Sequence, residues 1–174
     1  MGSAMSHRLW YPQLDVYDAI RRQGALLALW TEAAPPSPER LYIADFYLAN
    51  PPLLHRTQMT RDLREAFQGL RITKADEAFI AYPSAPILFQ KMEAVQLQAL
   101  HTLTGKGLVD LDRLSHGEVR ATSKGRNFFS ERFLPLLDRE ELRLATFLSA
   151  RFAAAERCDM QQLRATTGLR RVAQ

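Results

Sequence analysis

The sequence predicts a mainly α-helical fold with a single β-hairpin, on three observations in the stretch Ser84–Phe129. Pro86 is a natural first helical residue, and apolar side chains then recur at Leu88, Phe89, Met92, Val95, Ala99, Leu100 and Leu103, which is helical spacing. Gly105 and Gly107 close that run, as glycine does at helix ends. Leu108-Val109-Asp110-Leu111 next reads as a strand by alternation, turns through Ser115-His116-Gly117, and returns as Glu118-Val119-Arg120-Ala121. Thr122-Ser123-Lys124-Gly125 then re-enters helix. Helix, hairpin wing and helix in that order form the second half of a winged helix-turn-helix core, with helical extensions before and after it.

The extensions follow from local signals. Val16, Ile20, Leu26, Leu27 and Trp30 predict an amphipathic helix from Pro12 to Trp30, with Tyr17 on or beside its buried face. Pro35-Pro36 ends the loop after it, and Ser37-Pro38-Glu39 supplies an N-cap, a first-turn proline and a first-turn acid for a second helix. That helix, Leu41 to Ala49, is apolar on nearly every side and belongs inside the domain. Its lone Asp45 is expected at the rim or as a hydrogen-bonded buried group, and Asn50-Pro51-Pro52 breaks the helix. Thr60 is placed to cap a helix through Leu63, Ala66 and Phe67 that closes at Gly69. Residues 71–85 fit either a short helix or an extended arm. After the wing, Phe128, Phe129, Phe133 and Leu137 continue a helical face interrupted by Pro135. Asp138 and Glu141 have capping-box spacing ahead of Leu142, Ala145, Leu148 and Phe152. Asp159 is placed to cap a last helix that Gly168 ends. Residues 10–168 are thus read as one domain, 1–9 as a tag or disordered start, and 169–174 as a frayed tail.

Composition narrows the function classes. The chain has 174 residues, 47% of them apolar, and a formal charge of +4. The positive charge is interleaved with acids, as in Arg61-Asp62-Leu63-Arg64-Glu65, which reads as a solvated helix face. The single Cys158 rules out an internal disulfide and any cysteine-based zinc site, and no signal-peptide pattern stands at the start. A cytoplasmic location is the expectation, with no membrane partner, because no apolar run approaches the ~20 residues a span needs.

Candidate chemistry is sparse. His7, His55, His101 and His116 are never at metal-ligand spacing. Ser115 and His116 are neighbours at the hairpin tip, where adjacent side chains are expected to point apart, and no Gly-x-Ser-x-Gly elbow exists. No glycine-rich phosphate loop is present. The expectation is a protein without catalytic residues, metal or cofactor. A DNA-binding transcriptional regulator is the alternative, in which the wing would carry phosphate contacts through Arg113, His116, Arg120, Lys124 and Arg126, weak and without base readout. The helix in the reading position offers Gln90, Lys91, Gln96, Gln98 and His101 against Glu93, an almost neutral face. Protein docking is the other use of such a surface, with Trp10, Tyr11, Tyr47, Gln90, Gln98 and His101 as the candidate partner interface.

Three strings carry a family likeness: Trp10-Tyr11-Pro12-Gln13-Leu14-Asp15, the Glu39–Leu48 helix leading into Asn50-Pro51, and Gly107-Leu108-Val109. With them the chain, over residues 10 to 150, resembles the middle component of ABC three-component systems, of which Lamassu-type anti-phage defence is an example. The resemblance implies a non-catalytic, winged-helix-like subunit that associates with an SMC/Rad50-like ATPase subunit and an effector subunit. It brings no catalytic residue with it.

Overall fold

The structure, a computed structural model, describes residues 11–74 and 83–171. Trp10 and the centre of the 71–85 stretch lie outside them. A short 3-10 turn at Pro12–Leu14 leads into α1, Val16–Leu29, where the Asp15 carboxylate accepts from the Tyr17 and Asp18 amides. α2, Pro38–Ala49, starts as its sequence requires, with the Ser37 hydroxyl accepting from the Arg40 amide and Pro38 in the first turn. Every residue from Arg40 to Leu48 is buried, so α2 is the axis of the core. A 3-10 segment at Pro51–Arg56 and α3, Arg61–Gln68, follow; Thr60 precedes α3 without a side-chain capping bond.

The predicted helix after Pro86 is two helices, α4 (Ala85–Lys91) and α5 (Glu93–Gly105), joined by a one-residue turn at Met92. α5 packs along α1, and α1 in turn lies on α2 and on the segment after α7. Phe89, Met92, Ala99, Leu100 and Leu103 are buried as their spacing predicts.

The two-stranded wing is not formed. Residues Leu108–Leu111 and Glu118–Ala121 meet in a single antiparallel bridge, Val109 with Ala121, flanked by bonds from the Asp110 amide to the Arg120 carbonyl (2.9 Å) and from the Thr122 amide to the Leu108 carbonyl (3.0 Å). Between them runs a short helix, α6, Leu111–Ser115, because the Asp110 carboxylate accepts from the Arg113 amide and so starts a helical turn where a strand was expected. The Val119 amide is drawn aside to the Pro36 carbonyl, 2.8 Å away, which ties the return segment to the loop after α1. Gly117, with φ of 82°, supplies the tight turn.

α7, Ser123–Phe128, is capped by the Thr122 hydroxyl and widens into a π-helical turn at Phe129–Phe133. Gly125 is obligatory there, since a Cβ would collide with the Leu108 carbonyl. The same holds for Gly24 on α1, whose missing side chain makes room for the Phe133 and Phe129 rings. α8, Arg139–Phe147, carries the expected capping box of Asp138 and Glu141, and continues through a wider turn at Leu148–Phe152. α9, Met160–Thr167, has a second capping box, Asp159 with Gln162, and ends at Gly168 with φ of 71°. The residues read as a frayed tail are partly packed: Leu169 is fully buried, and Arg171 is tied to α2 through its backbone amide and to α4 and α5 through its side chain.

Two aromatic expectations are corrected. Tyr17 is 81% exposed, because the buried face of α1 runs through Ala19, Arg22, Gln23 and Leu26. Tyr47 is buried, edge-on to Phe46 and Phe152 at 5.0 and 5.4 Å, and is therefore core. Asp45 takes the buried alternative: it pairs with Arg22 Nε at 2.6 Å and accepts from Gln96 Nε2 at 2.8 Å. Among the described residues no helix is long and apolar enough to cross a membrane.

Candidate functional site

The outward faces of α4 and α5 form the surface that differs most from an ordinary solvated helix. The buried stripe of these helices points at α1 and α2, which leaves Ile87, Gln90, Ala94, Leu97, Gln98 and His101 exposed. Besides His101, the one exposed acid or base on this face is Lys91, between Ile87 and Ala94, so the face is sparsely charged where an exposed helix face is ordinarily richly so. Three of the residues expected at a partner interface, Gln90, Gln98 and His101, therefore fall together. Of the others, Tyr11 is exposed ahead of the Pro12–Leu14 turn, which packs with α1 and α2. Tyr47 is excluded by burial, and Trp10 is outside the described residues.

Beside Leu97 and His101 opens a groove of about 540 Å³, walled by the start of α2, the end of α6, α9 and the chain at Arg171. Its apolar lining comes from Pro38, Tyr42, Leu97, Leu100, Leu114 and Met160. Its charged groups neutralise one another inside the chain. Glu39 forms a two-oxygen ion pair with Arg164 and also accepts from the Arg171 amide at 3.0 Å. Burial alone would raise the Glu39 pKa, but the Arg164 hydrogen bond, the Arg171 amide and both positive charges outweigh it and hold the carboxyl below its ordinary value. Arg171 pairs with Glu93 at 3.6 Å, donates to the Phe89 carbonyl at 3.2 Å and to the Gln96 amide oxygen, and lies over the Phe89 ring at 3.9 Å. Burial lowers the Arg171 pKa against the pull of Glu93, Tyr42 and Glu39. Burial also pushes the Tyr42 phenol up to about 12, so it stays a neutral wall of the groove.

The five candidate phosphate-binding residues are mostly engaged elsewhere. Arg113 and Arg120 flank the same carboxylate oxygen of Glu118, at 3.7 and 4.0 Å. Arg126 pairs with Glu32. Lys124 donates to the Lys106 carbonyl at 3.3 Å, and His116 Nδ1 stands 2.8 Å from the Asp112 carbonyl. A cation already facing an acid has less charge to offer a phosphate, and the hairpin that would have projected these side chains is replaced by α6.

Ser115 and His116 do not point apart as their adjacency suggests; Ser115 Oγ and His116 Nδ1 are 3.2 Å from each other. Both converge on the Asp112 carbonyl, Ser115 donating to it at 2.6 Å. A carbonyl acceptor places the ring proton on Nδ1, so that nitrogen cannot take the proton from Ser115. Among the described residues no group of three or more His, Cys, Asp or Glu side chains is arranged to hold a metal ion.

Reading the sequence alone missed Ile87, Leu97, Leu114 and Arg171. The signal for the first two was present in the same helical run, as a second apolar spacing behind the buried one.

Fold and surface together define a small helical module whose distinctive feature is a sparsely charged helix face beside an apolar groove. The sequence model of the family described as ABC-three component (ABC-3C) system Middle Component 5 matches residues 8–172, and the chain belongs to that family. A middle component is one part of a multi-component system, so an accessory role and partner subunits come with membership. No curated protein and no solved structure matches the chain.

Proposed function

We propose that this chain is the non-catalytic accessory subunit of a bacterial anti-phage defence complex of the Lamassu type, docking on an SMC/Rad50-like ATPase and linking it to an effector. The observation that carries the proposal is the sparsely charged α4–α5 face on a chain whose family is defined by its place among partner subunits. A face of Ile, Gln, Ala, Leu and His with a single Lys is desolvated at less cost than the Arg- and Glu-rich helices elsewhere. The ATPase and the effector are partners that the family resemblance supplies. The subunit needs no cofactor for this role, and its place is the cytoplasm, where such an ATPase meets DNA.

A DNA-binding regulator is the weaker reading, because its five candidate contacts are tied to Glu118, Glu32 and backbone carbonyls. Co-expression with the neighbouring genes tests the proposal. A stable complex containing an ATPase with long coiled-coil segments is the expected result. Elution of the chain alone, together with nanomolar sequence-specific DNA binding at physiological salt, would replace it with the regulator.

A further inference from the structure

Arg171 sits in the elbow between α4 and α5. Its guanidinium donates to the Phe89 carbonyl in the last turn of α4, pairs with Glu93 in the first turn of α5, and donates to the Gln96 amide oxygen further along α5. Carbonyls in the last turn of a helix lack intrahelical partners, and an arginine is well suited to satisfy them. Arg171 therefore supports the end of α4 from 82 residues away, and the same side chain holds the start of α5. Ring contacts add to the grip: the guanidinium carbon is 3.9 Å from the Phe89 centroid and 5.5 Å from that of Tyr42 on α2.

The strap that carries Arg171 is fastened at few points. It leaves α9 through Gly168, whose φ of 71° favours glycine and where a Cβ would meet no atom within 4 Å, so the backbone has room to pivot. Leu169 is the fully buried apolar anchor of residues 168–171, Arg170 is exposed, and the Arg171 amide donates to Glu39 at 3.0 Å. The Arg171 guanidinium is also less well satisfied than that of Arg22. Its Nε has no hydrogen-bond partner among the described residues, and burial outweighs the pull of its partners, whereas for Arg22 the partners outweigh burial. A fastening that carries such an electrostatic cost brings its docked and released states closer in free energy.

We propose that residues 169–171 are a detachable clasp: docked, they fix the elbow at Met92 and hold α4 on α2 and α5, and released, they free α4 while the rest of the core stays folded. α4 depends on the clasp because it buries only Leu88 and Phe89, and the Phe89 ring lies under the guanidinium and edge-on to Phe46 of α2. α1, α2 and α5 are joined independently of it, through Arg22, Asp45 and Gln96 and through apolar residues buried along each helix. The clasp thereby sets whether the exposed residues of α4 and α5 form one continuous surface. Docking and release belong to the free chain, so they are testable apart from the accessory-subunit reading.

Hydrogen exchange on the full chain alone is the test. In the wild type, the amides of residues 89–94 and 169–171 are expected to open together below the cost of global unfolding, and so to be less protected than those of residues 25–27 in α1. Arg171→Ala and Leu169→Ala remove different anchors of the same clasp. Each is expected to speed exchange across residues 89–94 by about tenfold or more, with residues 25–27 changed by less than about threefold. Arg171→Lys keeps a charge opposite Glu93 but loses the planar fork that reaches Phe89 and Gln96 together, and is expected to fall between the wild type and Arg171→Ala. Wild-type protection at residues 89–94 equal to that in α1 would overturn the clasp, and this comparison stands whether or not a variant folds. Arg171→Ala that speeds exchange evenly along the chain would make Arg171 an ordinary part of the core and overturn it too. Unchanged exchange at residues 89–94 in both alanine variants would do the same.

Discussion

Asp45→Ala is expected to be among the most damaging single changes in the chain. Asp45 is fully buried on α2 and Arg22 on α1 is 1% exposed, joined at 2.6 Å from Nε and 3.4 Å from Nη2. Burial alone would lower the Arg22 pKa, but the charge and hydrogen bonds of Asp45, then those of Asp18, outweigh it and raise the value. With Asp45 gone, the guanidinium keeps Asp18 and the Pro12 carbonyl (3.3 Å), while Gln96 still donates to the Tyr42 carbonyl. Removing one member of a buried pair costs about 3–5 kcal/mol, a large part of the ~5–15 kcal/mol that holds a domain together. For a chain of this length that corresponds to a fall in Tm of about 6–20 °C. Arg22→Met combined with Asp45→Leu removes both charges, and such replacements are commonly neutral or stabilising. The double variant is therefore expected to be more stable than Asp45→Ala alone. Urea unfolding followed by circular dichroism measures both, at constant slope. A loss below about 1 kcal/mol in Asp45→Ala, or a double variant as unstable as the single, would refute the account of this core.

Two further outcomes follow from the charged groups. Glu39 has a folded pKa below its unfolded value, so its ion pair contributes stability that is complete above the ordinary glutamate range, near ~4.3, and is lost as pH falls through the lower folded value. Between pH 5 and 3 the urea midpoint of the wild type is expected to drop more than that of Glu39→Gln; parallel curves would contradict the assignment. Arg120→Ala with Lys124→Ala is expected to leave any DNA affinity of the isolated chain, and its salt slope, nearly unchanged, because Arg120 faces Glu118 and Lys124 a carbonyl. A salt slope flatter by about one per lost contact would mean that these side chains do reach phosphates.

The parts of the fold that could be read in the sequence are those fixed by a few adjacent residues. Ser37-Pro38-Glu39, the capping boxes at Asp138 and Asp159, and the Gly168 cap each act within one helical turn, so spacing suffices to locate them. The all-round apolar α2 was legible for a similar reason: a helix with no polar face has nowhere to be but inside. The wing failed because four alternating residues, Leu108 to Leu111, are too few to separate strand from loop. Asp110 followed by Asp112 was meanwhile a helix-start signal of equal weight. Pairing between distant segments left no local trace. Nothing near Arg22, Asp45 or Gln96 in sequence announces that the three meet, and nothing near Arg171 announces that its guanidinium closes over Phe89, 82 residues away. Tyr47 and Tyr17 show the same limit at single residues. An aromatic residue serves core and interface equally well, and only the packing of α2 and the rotation of α1 decide between them.

On the candidate surface, Gln90, Gln98 and His101 were found by their lack of charge, whereas Ile87 and Leu97 were hidden behind the stronger stripe that packs on α1. Hydrogen exchange on the chain, free and in complex with the ATPase proposed as its partner, tests the central claim most directly. The account predicts that exchange slows across Ala85–Gly105 when the ATPase is bound, with the α8 amides unchanged. A complex that forms with exchange unaltered across Ala85–Gly105 and slowed only elsewhere would contradict it.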